Sequence, residues 1–242
     1  MNTAAIDPRA ASQQRSRVGL RSALPARTRP VGLRAALSLL MLGACGGAPS
    51  PAAPVAGTPA AAEEPAVAPA AADQFLARIA QHCGQAFAGH IVANQPPADD
   101  DPFAGKSLIM HVRECRGSTL KIPFHVGDDH SRTWVLTRTA EGLRLEHDHR
   151  HEDGSAAEVT MYGGATAAPG TASRQEFPVG AGSIAMFERA GLGASVTNTW
   201  AMEIEPGQRF LYELSRPGGR LFQVAFDLTA PVETPRAPWG HE

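Results

Sequence analysis

Arg209-Phe210-Leu211-Tyr212-Glu213-Leu214-Ser215-Arg216-Pro217-Gly218-Gly219-Arg220-Leu221-Phe222-Gln223-Val224-Ala225-Phe226-Asp227 reads as two strands around one turn. Pro217-Gly218-Gly219 is the turn, because proline presets one backbone angle and glycine accepts the left-handed one. Pairing outward sets Leu214 opposite Phe222, Tyr212 opposite Val224 and Phe210 opposite Phe226. The other face holds Arg209, Glu213, Ser215, Gln223 and Asp227. One face is apolar and the other wet, as in a sheet wrapped around a core.

The pattern extends backward. Glu205-Pro206-Gly207 makes the preceding turn and brings Trp200 and Met202 onto the same inner face. Further strands are expected at 107–115, 119–126, 132–139, 142–150, 157–162, 173–178, 183–188 and 197–204, besides 209–216 and 220–228. One helix precedes them. Asp73 caps it, and Phe75, Leu76, Ile79, Cys83 and Phe87 recur at helical spacing. Gly84 weakens it and Gly89 ends it. A long meander with one apolar face removes its exposed edges by closing. The expected fold is therefore mainly β, an antiparallel meander closed into a barrel of lipocalin-like (calycin-like) architecture with one N-terminal helix. A jelly-roll or cupin-like two-sheet barrel is the alternative.

The chain before the domain has a different composition. Val31 to Ala44 is mostly Leu, Ala and Gly, with only Arg34 charged. That suits a signal h-region and is too short to span a membrane, which takes about 20 apolar residues. Arg9, Arg15, Arg17, Arg21, Arg27, Arg29 and Arg34 lie in or before it against one acid, Asp7. Positive charge holds that end in the cytoplasm. A start near Val18 would give a basic region of ordinary length. Leu42-Gly43-Ala44-Cys45 closes the run and resembles the lipobox of bacterial lipoproteins. That resemblance implies cleavage before Cys45 and its diacylation, with the lipid bilayer as partner. Gly46 after the cysteine implies, by the same resemblance, the periplasmic face of the outer membrane. An ordinary secretory signal is the plainer alternative.

Residues 45–72 are then a lipidated cysteine and an Ala/Pro-rich linker, a semi-rigid spacer with nothing to bury. Residues 73–232 suit a single domain, and 233–242, with Pro235 and Pro238, a frayed tail. The chain has 22 basic and 24 acidic residues. Losing 1–44 leaves 15 against 23, a formal balance of −8. An acidic domain is a poor nucleic-acid binder. Cys83 and Cys115 remain as an even pair in an oxidising compartment, and a disulfide between them is expected. It would close a loop of about 30 residues and contribute about 3 kcal/mol. Two buried thiols are the alternative.

The local cluster with chemical potential is Leu143-Arg144-Leu145-Glu146-His147-Asp148-His149-Arg150-His151-Glu152-Asp153. In a strand, Leu143, Leu145, His147, His149 and His151 share one face. A turn at Ala140-Glu141 or Glu141-Gly142 puts Trp134 and Leu136 on that face too, so the histidines point toward one barrel mouth. Imidazoles two apart on a strand reach one metal ion, making His147, His149 and His151 candidate ligands with His111, His125 and Glu203 as further ones. A cupin also uses His-x-His, but Glu152 follows His149 too soon and no second cupin motif exists. His147-Asp148-His149-Arg150-His151 likewise breaks the metallo-β-lactamase pattern. The plainer reading is a hydrated rim of weak ion pairs. Contact with a polar or anionic ligand is the third, with Trp134, His147, His149, Trp200 and Tyr212 as candidate ligand-binding residues and core packing the ordinary role of the aromatic members. Gly163-Gly164 and Gly191-Leu192-Gly193 read as turn glycines, and Ser183 and Ser195 lack a nucleophile motif.

From about Phe75 to Val232 the chain resembles an uncharacterised family of secreted bacterial proteins. The resemblance lies in Met110–Cys115, Ile122–Gly127, Ser131–Thr137, Leu143–Gly154, Thr199–Glu205 and Phe226–Leu228. It implies no activity. Three functions follow. The first is a tethered, non-enzymatic binding module for a small apolar or amphipathic molecule, with a cavity of at least several hundred Å³ in size (about 300 Å³ or more). The second is a structural or interaction lipoprotein of the envelope. The third is a His-dependent metalloprotein or metalloenzyme; no other cofactor is expected.

Overall fold

The computed structural model describes residues 70–97 and 101–241. The signal, lipobox and most of the linker lie outside the described residues. No described helix is long and apolar enough to cross a membrane.

The strands are β1 (Ala86–Gln95), β2 (Leu108–His111), β3 (Glu114–Arg116), β4 (Thr119–Val126), β5 (Asp129–Arg138), β6 (Leu143–His149), β7 (Tyr162–Ala165), β8 (Arg174–Pro178), β9 (Thr199–Glu205), β10 (Arg209–Arg216) and β11 (Arg220–Val232). Two α-helices join them, α1 (Ala71–Ala80) and α2 (Ala181–Arg189). The strands form one antiparallel sheet in the order β7-β6-β5-β4-β2-β1-β11-β10-β9-β8, with β3 beside β4. It curls into a nearly closed barrel of lipocalin-like architecture. The terminal hairpin has the expected register: Phe210 faces Phe226, Tyr212 faces Val224 and Leu214 faces Phe222. Across β9, Tyr212 faces Met202 and Leu214 faces Trp200. Trp134 faces His147 and Leu136 faces Leu145 in the β5–β6 hairpin.

Several expectations are corrected. Asp73 lies in the first turn of the helix, whose N-cap is Ala70, and the strand expected at 157–162 begins only at Tyr162. The first helix stops at Ala80 rather than near Phe87. Gly84 takes a left-handed φ of 83° and turns the chain into β1, which sequence periodicity misses. Gly89 does not end a helix. It lies in β1, where a Cβ would sit 2.5 Å from the Phe226 ring. Residues 183–188 belong to helix α2, not a strand; Ser183 and Phe187 are its buried positions, one turn apart. Gly163-Gly164 is the closing strand rather than a turn. A Cβ on Gly163 would fall 1.8 Å from the Leu145 carbonyl, and one on Gly164 1.8 Å from that of Pro178. Only glycine lets β7 approach β8 this closely. Gly180 N–H donates to the Gly163 carbonyl at 2.9 Å across the seam. The Ser183 hydroxyl accepts from Gly163 N–H at 2.8 Å and lies 2.9 Å from its carbonyl.

The tail is also anchored. Trp239 N–H donates to the His130 carbonyl, and His241 Nε2 lies 2.8 Å from the Asp148 carboxylate. Cys83 and Cys115 form the expected disulfide, tying the turn after α1 to β3. Helix α1 buries Phe75 and Ile79, and its Asp73 pairs with Arg138 at 2.7 Å. Arg138 ends β5, so α1 sits at the barrel end opposite Arg132 and His149.

Candidate functional site

The inner side chains form layers, because alternate residues of each strand point inward. The middle layer is aromatic. Phe124 stacks on Trp134 at 5.0 Å, and Trp134 stacks on Tyr212 at 4.4 Å. The His147 ring lies parallel to Tyr162 at 4.8 Å and packs beside Trp200 at 5.0 Å.

Hydrogen bonds fix the histidines. His147 Nδ1 lies 3.1 Å from the Tyr162 carbonyl. A carbonyl only accepts, so Nδ1 carries the proton, and Nε2 accepts from the Tyr212 hydroxyl at 2.8 Å. His149 Nε2 meets the Tyr162 hydroxyl at 3.0 Å. Burial pushes the His147 pKa down to about 4, against a smaller opposing effect of the Tyr162 carbonyl. Burial, then the Arg132 guanidinium and His147, hold His149 well below its ordinary range. Burial raises the phenols of Tyr162 and Tyr212. At neutral pH the network is uncharged. Both His147 nitrogens are already engaged.

Above this layer lies the mouth. Arg132 faces His149 across β5–β6, and Leu214 faces Phe222 across β10–β11. Phe103, from the segment before β2, covers them: its ring is 4.7 Å from Phe222 and 6.0 Å from Phe124. Arg132 lies over Phe103 and is paired with Asp129 at 2.6 Å. A cavity of about 30 Å³ remains beneath Phe103, bordered by Trp134, His149, Tyr162 and Tyr212. That is room for one or two waters, far short of the several hundred Å³ expected. The interior is a packed core with a small, mostly aromatic-lined space at its mouth.

The five expected ligand contacts divide. Trp134, His147, His149 and Tyr212 border the cavity. Trp200 is buried behind His147. The expected metal trio does not converge. Strand β6 ends at His149, and the exposed His151 lies in the turn beyond. His125 pairs with His130 through their Nδ1 atoms at 2.6 Å, and Glu203 is engaged by Arg174 and Arg209. Among the described residues, no three His, Cys, Asp or Glu side chains are placed to hold a metal ion. Phe103, Arg132, Tyr162 and Phe222 border the cavity without having been singled out as ligand contacts. Only Tyr162 and Phe222 carried a signal, as apolar positions of expected strands.

The fold and mouth thus define a packed antiparallel barrel with a neutral His–Tyr network under one opening. No known protein family, curated protein or solved structure matches the chain.

Proposed function

We propose that this protein is a lipid-anchored envelope lipoprotein and a non-enzymatic binding module for a small amphipathic molecule at the barrel mouth. The observation supporting this is the convergence, around one cavity, of aromatic faces with the His149 and Arg132 side chains. Such a mixed lining orients a ligand through a few polar contacts. The cavity itself admits only one or two water-sized groups, so the rest of the ligand lies at the mouth. The described chain enters at α1, the end opposite the mouth. The lipobox and the resemblance to secreted bacterial proteins support the location.

The test is native mass spectrometry of the whole chain expressed in a diderm host and recovered from its membranes in detergent. The expected result is an acylated protein with a small-molecule adduct that His149→Leu removes. A bare protein mass, with binding to neither charged nor neutral small probes, would sink the binding reading. The packed interior would then favour the second reading, an interaction lipoprotein.

A further inference from the structure

Arg220 stands at the same mouth, one layer outside the cavity. It shares the inner face of β11 with Phe222, two residues on, and its guanidinium carbon lies 5.6 Å from the Phe222 ring centre. One nitrogen holds it in place. Nη1 donates to Asn94 Oδ1 at 2.6 Å and to the Gln95 carbonyl at 3.1 Å. Asn94 is itself fixed by Asp101, at 2.8 Å. The other edge, Nε with Nη2, is buried and has no hydrogen-bond partner. That edge carries two parallel N–H bonds at the spacing of two carboxylate oxygens.

A buried donor left unmade is costly, and two on one cation more so. The placement adds a second cost. Arg216 is the direct cross-strand partner of Arg220, and like charges directly opposite destabilise a hairpin. Burial lowers the Arg220 pKa, with Asp101 opposing. An anion on the free edge removes both costs.

We infer that Arg220 is the carboxylate-binding residue of the mouth: its Nε–Nη2 edge takes a carboxylate side-on, with the ligand's short apolar stem against Phe222. This rests on the mouth being the ligand site. A carboxylate fits better than a phosphate because it is flat, presents two oxygens to one edge and can lie along the aromatic floor.

The test titrates the whole chain with butyrate, 1-butanol and inorganic phosphate, followed by calorimetry and tryptophan fluorescence. Butyrate is expected to saturate at least tenfold more tightly than 1-butanol. Arg220→Gln should weaken butyrate at least tenfold and leave 1-butanol unchanged. Arg220→Lys, which keeps the charge and loses the planar edge, should remain weakened. Near-UV circular dichroism checks the fold of each variant. If Arg220→Gln does not fold, the butyrate-to-butanol ratio in the unaltered protein and the Arg220→Lys result decide. Equal binding of butyrate and 1-butanol, insensitive to Arg220, would overturn this inference and leave the mouth as a binding site. Tighter Arg220-dependent binding of phosphate would overturn the carboxylate assignment. No saturation by any probe would overturn the inference, and the adduct experiment would then judge the broader reading on its own.

Discussion

Acidification from pH 7.5 to 5 should destabilise this barrel, and His147 should account for a measurable share. Its pKa falls from the ordinary 6.5 to about 4 on folding. The folded state therefore holds the imidazole neutral while the unfolded chain takes up a proton. The sign follows: stability is complete above pH 6.5 and is lost as pH falls toward 4. Each pH unit of difference corresponds to about 1.36 kcal/mol, so the full loss is about 3 kcal/mol, with about 2 kcal/mol gone by pH 5. His147→Leu tests this. At pH 7.5 the variant should be the less stable by about 1–3 kcal/mol, because the Tyr212 hydroxyl and Tyr162 carbonyl lose their partner. As pH falls to 5 the gap should shrink by about 2 kcal/mol, since leucine has no proton to take up. His111, His125 and His149, also lowered on folding, titrate in both proteins and largely cancel in the difference. Urea unfolding followed by tryptophan fluorescence and far-UV circular dichroism, at half-unit pH steps, measures the gap. A gap that stays constant from pH 7.5 to 5 would refute the claim that His147 is buried neutral.

Other outcomes follow from the same geometry. Replacing Cys83 and Cys115 together by serine should cost about 3.7 kcal/mol, the chain-entropy value for a sequence separation of 32, read from urea midpoints; a loss below about 1 kcal/mol would contradict it. Gly164→Ala should lose at least about 3 kcal/mol, because its Cβ meets the Pro178 carbonyl at 1.8 Å and the seam must open. A thermal midpoint within two or three degrees of the parent (about 1 kcal/mol) would show that the seam has slack. Arg220→Met should raise the stability of the ligand-free protein by about 1 kcal/mol while abolishing butyrate binding; a destabilised variant would mean that the guanidinium is structurally required. Cys45→Ser should move the protein from membrane pellet to supernatant on fractionation, and continued pelleting would remove the lipid anchor.

The β-hairpins were legible because each has a face to bury. Leu214–Phe222 and Trp134–His147 follow from strict alternation beside a recognisable turn, and a one-residue slip would expose every apolar member. β1 was not legible. Its Ala86-Phe87-Ala88-Gly89-His90 run continues the helical spacing of Phe75 and Ile79, and the left-handed turn at Gly84 alone separates them. Gly163-Gly164 misled for a related reason: glycine marks turns by its freedom, but here it serves close approach, a property of the partner strand. The His row pointed correctly inward only as far as His149. The partners of His147 were not legible there: the Tyr162 carbonyl on the next strand and the Tyr212 hydroxyl, 65 residues away, take its two ring nitrogens. The mouth arginines gave no signal, since Arg216 and Arg220 flank a turn, where charged residues are ordinary.

That ordinary position is what makes Arg220 informative. Its strand face points inward, as Phe222 and Val224 do, and an apolar residue there would extend the core. Instead the barrel carries a half-buried cation whose Nε and Nη2 make no hydrogen bond, opposite a second arginine. A chain whose local choices otherwise agree with its fold departs from that agreement chiefly where a ligand supplies the missing partner. The cavity beneath points the same way. It is too small for a bulky apolar cargo, and its polar atoms are mutually satisfied below His149, so a ligand has little to gain by penetrating deeper. At the rim, Arg220 Nε and Nη2 remain uncommitted. A ligand held there is recognised by its charged end, with the packed aromatic layers acting as a rigid floor.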